Sequence, residues 1–484
     1  MQRRRLGSGR AADRDRPRFG RWPARFFGSV VVLTDLLPPR VRYGYAHRVT
    51  GALFARPLPR LLSVSPLVPR ALPRLDAVTP RCVAVLAADH LDVGGIGSVI
   101  EMLAFGLPME GVSPVVLVPG EGPRASRLRS AGVRVIVAAS GPEAAAALDS
   151  VQPDVIELHS APTHIEDAAV ASGRPLVLAM HNTEIHFSRH QWRRSAELLS
   201  ASAAGVAVSA VVRDFYTRHV PVQLHDRIVI VPNGAPQRGA MTDSDREASR
   251  DRLGAVLGVD LGDDILICTL ARFDSQKNVA GTVVAVLRFL AASPRSARYV
   301  FAGDPSDWAE LRRAAALSDE SVHGRRVHFM GNSDAASLLG AADVFLLNSF
   351  FEGWAVAASE AALAGLPIVI SDVGGARELV SLDQRSICVA NPSGGADEIS
   401  DARVRRARRA SRNQENAEEL TQALLSVASA IRVGPPFAGP DTSRQADLLP
   451  AMVRGHAALL AAAAGDGVEW RAHSSGGSHS DQVG

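Results

Sequence analysis

The sequence predicts an α/β chain built from two parallel, doubly wound sheets in tandem. Three observations predict it. Short apolar runs ending in turn or polar residues recur along the chain, as in VAVLAAD (83–89), VSPVVLVPG (112–120) and DVFLLNS (343–349). Alanine-rich stretches with helical spacing, such as SVIEMLAFGL and SGPEAAAALDSV, lie between several of them, and strand-helix alternation is the pattern of a parallel sheet. The alternation pauses once, at the polar stretch APQRGAMTDSDREASRDRLG, which reads as an interdomain linker, and then resumes.

In chain order, residues 1–80 form a basic, Pro- and Arg-rich arm. Residues 1–81 hold 17 Arg against four Asp, about +13, while the whole chain carries only +3, so the remainder is acidic by about −10. Residues 1–20 read as a flexible extension. In 21–80, basic residues beside Trp22, Phe26, Phe27, Leu36 and Leu37 suit an anionic membrane surface. No helix-turn-helix, zinc-finger or RNA-recognition signature accompanies the charge, which argues against nucleic acid as a partner. A secretory signal fits poorly, because the apolar segment is short and runs into LPPR without a small-residue cleavage pattern.

Residues 81–236 form the first Rossmann-like domain, with strands expected at 83–89, 112–120, 133–140, 153–160 and 175–182, and RIVIVPNG near its end. Residues 237–435 form the second, with strands expected at 265–272, 297–304, 326–332, 343–349, 366–372 and 386–390. Within it the arginine-rich stretch 403–420 reads as partly disordered. A helical segment, 436–466, and a disordered tail, 467–484, complete the chain. Such a domain pair leaves a cleft between the carboxyl ends of its two sheets, where ligands of this fold class bind.

Cys82, Cys268 and Cys388 are an odd set without CxxC spacing, each in an apolar run, and read as buried thiols in a reducing, cytoplasmic compartment. No uncharged apolar run is long enough for a membrane span.

The chemistry concentrates in the second half. Lys277, in TLARFDSQKN, is the only lysine, with arginine at the other 52 of 53 basic positions. Arg272 ends an apolar strand and Lys277 lies in the following loop, the place where open α/β sheets bind ligands. Glu352 and Glu360 stand eight residues apart in SFFEGWAVAASEAALAGLP; a fully helical spacing would separate them by about 12 Å, too far for one acid/base pair but suited to gripping two ends of a long ligand. Carboxylates accept paired hydroxyl hydrogen bonds, as from vicinal diols of a sugar or ribose.

SFFEGWAVAASEAALAGLPIVISDVGGARELV resembles the signature of glycosyltransferase family 4, retaining enzymes of the GT-B fold, with an E-x7-E motif, A-x-G-x-P and a D-x-G-G turn. The resemblance covers roughly 82–460 and includes, in order, DVGGIGSVI, HNTE, AVSAVVRDF, VPNG, LARFDSQKN, FAGD, VHFMGN and AMVRGHAALL. It implies that the first domain serves the acceptor and the second a nucleotide-sugar donor. Arg272 and Lys277 match the pair holding the donor diphosphate, Glu360 the carboxylate on the ribose, Glu352 the carboxylate facing the donor sugar, and His181 the histidine near the anomeric centre. Gly353, Gly331 and Asn233 fall in motifs of the donor side, while Gly94, Gly95 and Gly97 form a loop near acceptor or donor phosphate. The implied acceptor is a hydroxyl compound of unknown identity, lipid-linked or part of a cell-envelope glycan, and no metal or cofactor is expected.

His186 and His190, spaced i, i+4, lack the H-E-x-x-H pattern and read as solvated; Asp243 and Asp245 form a D-x-D that reads as a helix cap. Two other functions remain open for this pattern. One is a nucleotide-sugar epimerase of the same fold, which would need additional acid/base carboxylates. The other is a non-catalytic, membrane-associated scaffold.

Overall fold

The computed structural model describes residues 22–38, 60–66, 80–91, 94–235, 242–395, 398–431 and 447–465. The expected α/β architecture is present as two all-parallel sheets. The first runs β1 (Cys82–Ala88), β2 (Val112–Val118), β3 (Arg134–Val137), β4 (Val155–His159), β5 (Leu176–Met180), β6 (Ala204–Ala207) and β7 (Ile228–Ile230), in the spatial order β3-β2-β1-β4-β5-β6-β7. The second runs β8 (Ile265–Leu270), β9 (Ala297–Ala302), β10 (Val327–Met330), β11 (Val344–Leu347), β12 (Ile368–Ser371) and β13 (Ile387–Val389), in the order β10-β9-β8-β11-β12-β13. These strands are nearly all buried on both faces, which is why they read as continuous apolar runs. Each sheet reverses its winding once, between β1 and β4 and between β8 and β11. Ligands of doubly wound sheets bind outside the strand carboxyl ends at these reversals.

Three features depart from expectation. The stretch read as a linker is largely a helix, Asp243–Leu257, and its N-cap is Thr242, outside the D-x-D: the Thr242 hydroxyl accepts from the Asp245 amide while Asp245 bonds back to Thr242, so of the two aspartates only Asp245 serves the cap. Residues 403–420 are not loose: they lie in the helices Asp401–Arg409 and Ala417–Ala430 and the turn between them. Arg408 is buried there and paired with Asp35, Asp307 and Glu310, so this arginine belongs to the interior. Cys388 is only half-buried, because β13 is a sheet edge; Cys82 and Cys268 are buried.

The arm is partly built into the second domain. Helix Ala24–Thr34 buries Ala24, Phe27 and Val31, with Phe27 and Val31 clustering with Trp308 and Ala309. Phe27, expected at a membrane surface, is therefore unavailable to one. Leu62 and Val64 accept hydrogen bonds from the amides of Gly331 and Asp334, laying residues 60–66 over the turn after β10. The expected extension 1–20 and tail 467–484 lie outside the described residues. Helix Leu448–Ala464 returns the chain to the first domain, packing Met452, Val453 and Leu460 into its core. Among the described residues no helix is long and apolar enough to cross a membrane.

Candidate active site

The loops leaving β8 and β11, the neighbours at the reversal of the second sheet, build one half of the site. Asp274 accepts from the amides of Gln276 and Lys277 through Oδ1, at 3.0 and 3.1 Å, folding FDSQKN into a tight turn. Asn278 follows at φ 50°, a left-handed conformation that asparagine tolerates, and is fixed by paired amide hydrogen bonds with buried Gln414. Gln276 then laces the two loops: its carbonyl accepts from the Phe350 amide, and its side chain donates to the Phe351 carbonyl and to Glu352 Oε2.

Lys277 Nζ lies 2.5 Å from Glu352 Oε1, with side chains only 15 % and 7 % exposed. The two residues read from the sequence as separate ligand contacts are thus one ion pair. Arg272 is more open and pairs with Asp274 Oδ2 at 3.1 Å. The Asp274 carboxylate raises the guanidinium further above its ordinary value, against burial and with help from Glu352 and Asp304, so two fixed cations flank this loop. Glu360 is half-buried in helix Val356–Leu363; that helix starts only at Val356, so the segment from Glu352 to Glu360 is half loop.

Gly353 joins the two domains. A Cβ there would collide with the backbone carbonyl of His181, and Gly374, at φ 47°, abuts the Gly353 carbonyl from beneath. The D-x-G-G turn thereby supports the Glu352–Gly353 loop, which meets the end of β5. Ile185 adds a second bridge by packing on Phe350 and Phe351.

On the first-domain side, His181 belongs to a buried relay that sequence reasoning missed. Its Nε2 lies 2.8 Å from His159 Nδ1, at the end of β4. His159 Nε2 lies 3.3 Å from Glu157 Oε2, and His456, from the returning helix Leu448–Ala464, places Nδ1 2.7 Å from Glu157 Oε1. Glu157, His159 and His456 are each at most 1 % exposed. Burial would raise the Glu157 carboxyl, but the imidazoles of His456 and His159 outweigh it and hold the group well below the usual carboxylate range. His181 is pushed well below the ordinary histidine value by burial, with His159 and His456 adding to the effect and Glu157 opposing it. It is therefore neutral at physiological pH. The His159 Nδ1–His181 Nε2 hydrogen bond fixes the orientation of the His181 ring and leaves its Nδ1 as the ring nitrogen outside this relay. Ser160, next to His159, sits at φ 53°, uncommon for serine and located at the reversal of the first sheet.

The remaining expected residues are placed as follows. Gly94 and Gly95 open helix Gly95–Gly106 after β1, and a Cβ at either meets open space; Gly97 is buried in that helix, and Asp92 and Val93 of the same motif lie outside the described residues. Asn233 is buried with no partner for Oδ1 among the described residues, beside Gly234, which packs on Leu449. The Gly331 amide is already engaged by the Leu62 carbonyl. His190 is exposed, and His186 Nε2 lies 3.6 Å from Glu184, whose carboxyl burial pushes up to about 7. Among the described residues no group of three His, Cys, Asp or Glu side chains is arranged to hold a metal ion.

Two family models match, together spanning more than half of the chain: Glycosyltransferase Family 4 over residues 93–236 and glycosyl transferases group 1 over 264–405. A curated relative, the alpha-maltose-1-phosphate synthase of Mycolicibacterium smegmatis, is 28 % identical over 211 residues, 43 % of this chain and 53 % of the relative. The match thus spans about half the length of that relative. Among solved structures, a glycosyltransferase from Rickettsia africae superposes with a TM-score of 0.63 at 15 % identity, covering 80 % of this chain and 99 % of its own. The Anabaena protein HepE, solved in complex with UDP and glucose, gives 0.53 at 17 % identity, covering 72 % and 100 %. The fold is GT-B.

Proposed function

This chain belongs to glycosyltransferase family 4, and from that premise we propose that it moves a sugar from a nucleoside-diphosphate-sugar donor to a hydroxyl acceptor with retention of configuration. The observation that carries the reading is the Lys277–Glu352 pair at the reversal of the second sheet, joined through Gly353 to the end of the strand that bears His181. Lys277 and Arg272 hold the diphosphate, whose negative charge grows as its bond to the anomeric carbon breaks. When donor seats, Lys277 exchanges a carboxylate oxygen for a phosphate oxygen, so its charge stays compensated and Glu352 is freed to accept from the sugar hydroxyls. Glu360 accepts from the ribose.

The acceptor hydroxyl attacks the anomeric carbon on the face from which the diphosphate departs, and its proton passes to the departing phosphate oxygen. The products are a glycoside and a nucleoside diphosphate. No protein nucleophile and no metal takes part, since side-chain cations supply the positive charge. Neutral His181, oriented by Glu157 through His159, hydrogen-bonds a donor-sugar hydroxyl near the reacting centre. The basic arm favours an acceptor at an anionic, cytoplasmic membrane face.

The test is nucleoside diphosphate release from a panel of nucleotide sugars, with UDP-sugars included because HepE was solved with UDP-glucose, followed by the anomeric configuration of the product. Release with retained configuration supports the reading. Turnover of no donor by folded protein, or conversion of donor to its epimer, would oppose it.

A further inference from the structure

The arm helix Ala24–Thr34 is apolar on more sides than its packing uses. Its inner face is seated on the second domain, and Asp35, at its end, accepts from Arg408 Nη1 at 3.1 Å and Arg409 Nε at 2.9 Å. The helix is therefore held by buried charge as well as by apolar contact. Its outer face nevertheless exposes Trp22, Phe26, Leu33 and Leu36, the last two at 64 % and 76 %, with Trp22 stacked on Phe26 at 4.6 Å. These side chains form a ridge in two groups, Trp22 with Phe26 and Leu33 with Leu36, separated by exposed Ser29, and large apolar groups gathered this way are unusual on a surface that meets only water.

Beside that ridge lies a shallow depression lined by Ala402, Arg405, Arg406, Arg409 and Ala410. Arg405 reaches the Asp35 carbonyl, at 3.4 Å, which places the depression next to Leu36. Two of these arginines are themselves paired, Arg405 with Asp401 and Arg409 with Asp35, while Arg406 is exposed and has no ion pair among the described residues. Guanidinium groups present planar donor forks that fit phosphate oxygens, and apolar side chains beside them fit the acyl boundary just below a layer of headgroups.

We propose that the ridge of the arm helix and the arginine depression of helix Asp401–Arg409 form one docking face for an anionic lipid bilayer. The face is composite: the arm supplies the apolar insertion and the second domain supplies the phosphate contacts. The inner side of the arginine helix, Val404 and Ala407, packs on Phe350 and Phe351, immediately before Glu352. Docking therefore sets the donor loop about one helix diameter, roughly 10 Å, from the lipid-facing side chains. The inference does not depend on the chemistry assigned to the cleft.

The experiment is sedimentation of the full chain with phosphatidylcholine vesicles, with and without phosphatidylglycerol, for the wild type, Leu33→Glu/Leu36→Glu and Arg406→Glu. Both leucines and Arg406 are exposed, so the variants keep the fold, which melting curves verify. The wild type is expected to sediment with phosphatidylglycerol vesicles and to be released by salt. The leucine variant, which keeps every arginine of the arm, is expected to lose at least about tenfold in partitioning, and Arg406→Glu to lose much of the preference for anionic lipid. Equal partitioning of the wild type and the leucine variant would overturn the proposal, since the arm's charge alone would then suffice. So would a concentration-dependent wild-type dimer that the leucine variant abolishes without any lipid binding. A melting-temperature rise with inorganic phosphate that Arg406→Glu removes, again without vesicle binding, would reassign the depression to a free anion.

Discussion

His456 Nδ1 lies 2.7 Å from Glu157 Oε1, a hydrogen bond across 299 residues that ties the last described helix to the strand beneath the candidate active site. Glu157 in turn faces His159, and His159 bonds His181. The orientation of a cleft histidine thus depends on a helix that arrives only after the second domain is complete.

Glu157→Gln keeps the shape of the side chain and removes its charge, so the charge that orders the protons of His159 and, through it, of His181 is lost. We expect kcat to fall by about ten- to hundredfold with donor affinity little changed, the mark of an effect at the reacting centre. Imidazole nitrogen NMR of the full chain, with His181 assigned by its loss in His181→Asn, should show one His181 tautomer in the wild type and a mixture in Glu157→Gln. Identical tautomers in both would reduce Glu157 to a structural buried charge.

His181→Ala should lower turnover far more than donor affinity, because its partner is the sugar at the reacting centre and not the nucleotide. The measurement is kcat against donor Kd, with a melting curve to exclude misfolding. Unchanged turnover in a folded variant would remove His181 from the mechanism.

Lys277→Arg tests whether the ammonium can be replaced by the residue used at every other basic position. The site around Lys277 Nζ is closed by Glu352 and Gln276, so the bulkier fork should crowd it and reduce kcat/KM. Lys277→Ala should lose more, since a charge-assisted hydrogen bond is worth roughly 1.5–3 kcal/mol, or about ten- to a hundredfold. Full activity in the arginine variant would mean that charge alone is needed.

Glu184 gives a pH dependence with a definite sign. Its side chain is 14 % exposed, and burial raises the carboxyl from 4.5 to about 7, so between those values the unfolded chain has released a proton that the folded chain keeps. Stability therefore falls as pH rises through that window, by on the order of 3 kcal/mol. Glu184→Gln should raise the melting temperature relative to wild type at about pH 8 and change it less at about pH 5. An equal change at both pH values would show that Glu184 does not titrate there.

The strands were legible because parallel strands buried on both faces must be apolar and must end where the chain meets solvent or ligand, as VAVLAAD and DVFLLNS do. The placement of Lys277, Glu352 and His181 just beyond strand ends was legible from the motifs that hold them. Glu157, His159 and His456 were not, because each is a single polar residue inside an apolar run, and only the return of helix Leu448–Ala464 brings the third to the other two. The helix Asp401–Arg409 was misread because arginine density suggests solvation, whereas Arg408 is neutralised by Asp35, Asp307 and Glu310, the first of them 373 residues away. Pairings at such separations leave no local periodicity.

Melting curves of wild type and Lys277→Ala with a panel of nucleoside diphosphates decide whether the loop carrying Lys277 and Glu352 binds the diphosphate of a nucleotide sugar. A ligand that binds only the folded state raises its melting temperature. At least one member of the panel should raise that of the wild type, and the rise should be lost or sharply reduced in Lys277→Ala, each rise being read against the same protein's melting temperature without ligand, which loss of the Glu352 pair lowers in the variant. No rise with any nucleoside diphosphate, or the same rise in both proteins, would contradict the account.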